Sequence, residues 1–278
     1  MDRFSLGGLV AKIISFGDSF MLGNELDKED GTQTWPGILA QRLGCDFDIR
    51  AMAGCGNEYI AQQIFDYFDL SQQHDDTLVV INWTWSMRWD FYINKCDKWI
   101  GLGPTCVPDK IKGLVNDAEA QTLISFYQEY MEPSAHWNKL RSLSSIYSVQ
   151  KFLESLGIKN IQTYMDQNLW YPNFPKLEHY HAYKDPSWPE ISREKDLDTL
   201  PVEIQNEVNH SFDNIEPAYI KSLRALTRSQ LKSFDGLTFL EWAEHKGFEI
   251  TPLLHPLQPA HDAAADFWQS SYVEILES

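Results

Sequence analysis

The chain has 278 residues, 43% of them hydrophobic and 23% charged, with a formal net charge of −17. That length and apolar content suffice for a large α/β core, and the negative field argues against nucleic acid or anionic membrane surfaces as partners. Four cysteines (Cys45, Cys55, Cys96, Cys106) with no C-x-x-C spacing argue against structural zinc and against a disulfide framework. With no apolar run long enough to span a bilayer and no apolar leader in the first residues, the expected location is cytoplasmic.

In chain order, the first strong element is Lys12-Ile13-Ile14-Ser15-Phe16, a β-branched run that stops at Gly17-Asp18-Ser19. The pattern predicts a buried strand that turns tightly and presents a hydroxyl at the carboxyl edge of a sheet. In open α/β sheets ligands bind at that edge, so Ser19 is a nucleophile candidate if a base reaches it. Taken alone, Gly-Asp-Ser reads first as an ordinary helix-capping turn, and the rest of the chain decides between the two.

Trp35 to Gly44 has helical spacing, with Pro36 near the start and Gly44 past the end. A second strand is predicted over 47–52, ending in Ala53-Gly54-Cys55-Gly56-Asn57, and a helix follows over 58–70. The continuous apolar run Thr77 to Trp83 suits a central parallel strand. Residues 90–116, with Gly101, Gly103, Pro104 and Pro108, read as an irregular insertion at the carboxyl edge. Residues 118–156 read as two helices broken near Pro133, and 159–165 as a fourth strand. Residues 168–217 are rich in proline and aromatics and read as a second insertion. A helix over 237–246, a short fifth strand over 248–251 and a closing helix over 262–277 complete the chain. Strands alternating with helices predict a doubly wound, flavodoxin-like three-layer α/β sandwich with about five parallel strands, forming one domain over 1–278. Aromatic clusters at Trp83–Trp85, Trp89–Tyr92 and Trp170-Tyr171 either line a groove for a sugar or pack long loops onto the body.

Three segments together, Phe16-Gly17-Asp18-Ser19-Phe20, Ala53-Gly54-Cys55-Gly56-Asn57 and His255-Pro256 with His261 six residues on, resemble the SGNH (GDSL-like) hydrolase superfamily. The resemblance covers residues 11–90 and 145–278, apart from the two insertions. It implies a serine esterase or deacylase without metal or organic cofactor, acting on a small-molecule or glycan ester. It assigns Ser19 as nucleophile, His255 as base with His261 as its competitor, and the Ser19 and Gly54 amides to the oxyanion hole. The family's third-block asparagine is absent. Ser86 stands near its place if strand ends align, Asn57 is a further donor candidate, and Asn82 falls inside the strand. Pro252 occupies the position of the family's acid three residues before the histidine. A backbone carbonyl of the Thr251–Leu254 turn is the expected acceptor for the His255 ring proton, with Glu249, Asp262 or the second insertion as rivals. The alternative function is a catalytically impaired protein on the same fold that binds a glycan or a protein partner.

Overall fold

The computed structural model describes residues 10–68, 76–103, 111, 113–131, 134–169 and 217–277. Its centre is a four-stranded parallel sheet of β1 (Lys12–Gly17), β2 (Asp46–Ala51), β3 (Thr77–Trp83) and β6 (Lys159–Tyr164), in the order β2-β1-β3-β6. Register is tight: Ile14 lies beside Asp48 on one side and Val79 on the other. All seven residues of β3 are buried, as its uninterrupted apolar sequence requires for a strand covered on both faces.

Alternation along the strands divides the core. Ile13, Leu78, Val80 and Ile161 face one layer, built from α2 (Trp35–Leu43), α7 (Phe239–His245) and α8 (Gln258–Glu277). Ile14, Phe16, Val79, Ile81 and Trp83 face the other, built from α3 (Asn57–Tyr67), α5 (Ala135–Ser155) and α6 (Ala218–Arg228). In the first layer Trp35 stacks on Trp268, their centroids 5.7 Å apart, and meets Phe234 edge-on. The three-layer arrangement is the one the alternation of strands and helices predicts.

Two predicted features differ. Residues 248–251 form no fifth strand; Ile250 makes only an isolated bridge to Pro256. The outer edge of β6 is met instead by a single bridge from Leu231 to Gln162. The backbone bonds of the 248–251 segment are spent locally instead, Thr251 N donating to the His255 carbonyl and Leu257 N to the Glu249 carbonyl. The first insertion is also more regular than its composition suggests. It contains an antiparallel hairpin, β4 (Trp89–Ile93) with β5 (Lys98–Leu102), and α4 (Asp117–Phe126) packs beside it. Asp97 takes the left-handed conformation (φ 55°) in the hairpin turn, where a glycine or asparagine would have signalled it. The second insertion lies almost wholly outside the described residues, as do Trp170, Tyr171 and Cys106.

The strand order reverses between β1 and β3, since β2 lies on one side of β1 and β3 on the other. Ligands of open α/β sheets bind at the carboxyl end of such a switch point. The turns after β1, β2 and β3 therefore define the place to look for chemistry.

Candidate active site

The turn after β1 is built by Asp18. Its side chain caps the one-turn helix α1 (Ser19–Leu22), Oδ1 accepting from the Phe20 amide at 3.1 Å. Gly23 (φ 81°) ends that helix after four residues. Asp18 Oδ2 accepts from Thr84 Oγ1 at 2.9 Å and from Arg88 Nη1 at 2.7 Å. Asp18 is fully buried, so a turn former by sequence is also half of an ion pair tying the ends of β1 and β3 together. Arg88 Nη1 further donates to the Cys55 carbonyl at 3.2 Å, bringing in the turn after β2.

Ser19 projects from this braced turn. His255 Nε2 stands 2.9 Å from Ser19 Oγ, although the two residues are 236 positions apart. The imidazole packs edge-on against Phe20, whose ring lies 5.1 Å away. His255 is delivered by a turn with its own bonds: Thr251 N donates to the His255 carbonyl (3.0 Å), His255 N to Thr251 Oγ1 (3.1 Å), and Leu254, at φ 68°, completes the reversal.

The acceptor of the other ring nitrogen is not a backbone carbonyl. Glu25 Oε2 lies 2.6 Å from His255 Nδ1 and also accepts from Thr251 Oγ1 at 2.5 Å. Neither Glu249 nor Asp262 holds this position. Burial pushes the Glu25 carboxyl upward, but the hydrogen bonds from Thr251 and His255, with the histidine's charge, outweigh it and leave the acid strengthened. Glu25 sits at φ 67°, and its amide donates to Glu29 Oε1 at 3.3 Å. The left-handed backbone and this local bond turn the side chain's loop back toward the histidine. Nothing in the sequence marked it: the residue falls in a charged loop, without the spacing that the resemblance prescribes for the acid.

The remaining sequence candidates are distributed as follows. Gly54 (φ 76°) follows β2 in the turn beside Gly17, where Met52 N donates to the Gly17 carbonyl at 3.2 Å. Asn57 is fully buried and its amide is spent: Nδ2 donates to the Thr84 carbonyl (3.1 Å) and Ser142 Oγ (3.0 Å), while Oδ1 accepts from Thr84 N (2.9 Å). Both N–H groups are committed, so none is left for an oxyanion. Ser86 is buried, and its backbone amide donates to Asp166 at the end of β6 (2.8 Å). Asn82 is internal to β3, with Oδ1 accepting from Thr163 Oγ1 at 2.8 Å.

His261, the competing histidine, is fully buried under Phe239 and accepts from the Trp35 amide through Nδ1 at 3.2 Å. Burial lowers its pKa from the usual 6.5 to about 3, against the opposing hydrogen bond with the Pro256 carbonyl. The folded state thus disfavours the imidazolium. The associated stability is present above pH 6.5 and is lost as pH falls toward the folded value. Moving from pH 7 to 4.5 is expected to cost wild type about 2–3 kcal/mol more than His261→Gln, measured as the difference in urea unfolding free energies at the two pH values.

Among the described residues no cluster of His, Cys, Asp and Glu could hold a metal ion, and no helix is long and apolar enough to cross a membrane.

No family model and no curated protein matches the sequence. Solved structures similar to it include a member of the lipolytic G-D-S-L family from Veillonella parvula, with 13% identity, 94% of this chain and 98% of that one covered, and a TM-score of 0.43. The esterase EstA from Pseudoalteromonas is 11% identical over 96% of this chain and all of its own, with a TM-score of 0.45. A carbohydrate esterase family 2 enzyme with a carbohydrate-binding domain, from Corynascus thermopiles, is 14% identical over 96% and 67%, with a TM-score of 0.44. In the order of its Gly-Asp-Ser, Gly-Cys-Gly-Asn and His-Pro segments along this α/β sheet, the chain resembles the SGNH (GDSL-like) hydrolases.

Proposed function

We propose that this chain is a serine esterase of the SGNH type that works through a Ser19–His255–Glu25 triad. The observation that carries the reading is the unbroken hydrogen-bonded series from Ser19 Oγ through the imidazole to Glu25 Oε2, at 2.9 and 2.6 Å. A hydroxyl is a weak nucleophile until a positioned base takes its proton as it attacks. Nε2 of His255 serves that role, and the carboxylate at Nδ1 fixes the tautomer and stabilises the imidazolium that forms.

Ser19 Oγ attacks the ester carbonyl, and the Ser19 and Gly54 amides receive the oxyanion. His255 returns the proton to the departing alcohol. Water then repeats the sequence on the acyl-enzyme, with His255 again as base. For the alcohol we favour a sugar or glycan: Trp85, half-buried, stands edge-on to Phe20 at 5.9 Å between ring centroids, with the Arg88 guanidinium 4.5 Å over its ring, so an aromatic side chain borders the nucleophile's turn.

Turnover of p-nitrophenyl acetate together with labelling of Ser19 by a fluorophosphonate tests the activity, since an unactivated serine reacts with neither at an appreciable rate. Absence of both would overturn the esterase reading and leave the binding-protein alternative, which the missing third-block asparagine favours. Preference for an acetylated oligosaccharide over p-nitrophenyl acetate in kcat/KM tests the glycan assignment.

A further inference from the structure

The helix α3 begins at Gly56, a capping residue with no side chain to satisfy the first amides. The acceptor comes from the first insertion. Asp90 on β4 takes the Gly56 amide on Oδ1 at 2.7 Å and the Tyr59 amide on Oδ2 at 2.8 Å. Those are the N-cap and N3 amides, the two donors that the reciprocal side chains of a capping box satisfy from within a helix. Asp90 is paired across the hairpin with Gly101. A Cβ at Gly101 would stand 2.3 Å from the Gly54 carbonyl oxygen and 2.9 Å from its carbon, so β5 lies directly against the Gly54 peptide. On its own Cα, by contrast, Gly54 has open space: a Cβ there would meet nothing within 4 Å. The turn is therefore gripped on its carbonyl side and free on the other.

We infer that the β4–β5 hairpin is a clamp on the Gly54 turn, with Asp90 the positioning residue for the amide that receives the oxyanion and Gly101 its counterpart across the ladder. The inference rests on the esterase reading above and deepens it. The hairpin acts on the nucleophile side as well, because Arg88, one residue before β4, donates to both Asp18 and the Cys55 carbonyl. An insertion that looks peripheral in sequence thus fixes the relative position of the two turns that frame the site. Oxyanion donors act only within a narrow geometric tolerance, so slack in this turn appears in the transition state rather than in ground-state binding. The carboxylate faces Glu58 of α3, which disfavours its charge, and Arg141 of α5, which favours it; burial dominates and raises its pKa to about 7.

The test compares wild type with Asp90→Asn and Gly101→Ala in the full chain. Asparagine offers one acceptor for two amides and turns an N–H toward the other. Alanine leaves the carboxylate intact and pushes on the Gly54 peptide. In each variant kcat for p-nitrophenyl acetate is expected to fall by about tenfold to a hundredfold with KM within about threefold. Amide hydrogen exchange in peptides over 52–59 is expected to accelerate while β1 and β3 exchange as in wild type. Unchanged exchange over 52–59 in both variants would overturn the clamp. Faster exchange there with kcat unaltered would overturn its role in positioning. A uniform loss of protection across the chain in both variants would reduce it to general stability and overturn it too. A wild type that neither turns over the ester nor labels would sink the esterase reading instead, and the exchange measurement would still decide whether the clamp exists.

Discussion

Ser19→Ala is expected to lower kcat/KM on p-nitrophenyl acetate by about 10⁴-fold or more and to abolish fluorophosphonate labelling. The substitution removes only the hydroxyl that His255 Nε2 engages. The helix cap from Asp18 to the Phe20 amide, the ion pair to Arg88 and the Phe20 contact with the imidazole are left in place. Thermal stability should therefore change little, which separates lost chemistry from lost fold. The assay is steady-state hydrolysis with melting temperature measured on the same preparation. Retention of more than a tenth of the activity would mean that another group attacks the ester, and the triad reading would fall.

Glu25→Gln is expected to lower kcat by about 10²- to 10⁴-fold with little change in KM. The amide oxygen can still accept from Nδ1, but the negative charge that stabilises imidazolium in the transition state is gone. Thr251 Oγ1 donates to the same carboxylate oxygen, so the variant keeps a partner and should fold. Glu249→Gln and Asp262→Asn are the controls, each expected within about threefold of wild type, because neither acid holds the ring. An effect of Glu25→Gln no larger than theirs would return the orienting role to a neutral acceptor.

The contrast between these residues shows what a sequence can carry. Ser19 was legible because a buried strand and a tight turn are written in local residue types, and that topology puts the hydroxyl at the sheet edge. His255 was legible through its order after the Gly-Asp-Ser segment and its place before the last helix. Glu25 carried no signal. It reaches the His255 ring through a left-handed backbone angle and a loop that folds back on itself, features that residue types in a charged stretch do not encode. Asn57 illustrates the opposite limit. Its position next to the second turn was right for a donor, but the choice between substrate and the Thr84 peptide is made by packing. The hairpin of β4 and β5 was hidden because its strands have five residues each and its turn uses Asp97 where stronger turn formers are usual.

Glu25 and Ser19 lie on one short loop, six residues apart, whereas His255 arrives from 230 and 236 positions downstream. Assembling the site is thus a problem of chain closure. The Ser19 and Glu25 loop can form with β1 as a local event, yet it lacks its histidine until the C-terminal segment docks, held to the 33–42 region by Gln258 at the Gln33 carbonyl and by Asp266 at Arg42. Contacts so distant in sequence carry a large loop entropy and tend to form late. During refolding from denaturant, reactivity toward a fluorophosphonate should reappear after most of the far-ultraviolet circular dichroism signal, making the serine a chemical clock for the meeting of the two ends of the chain.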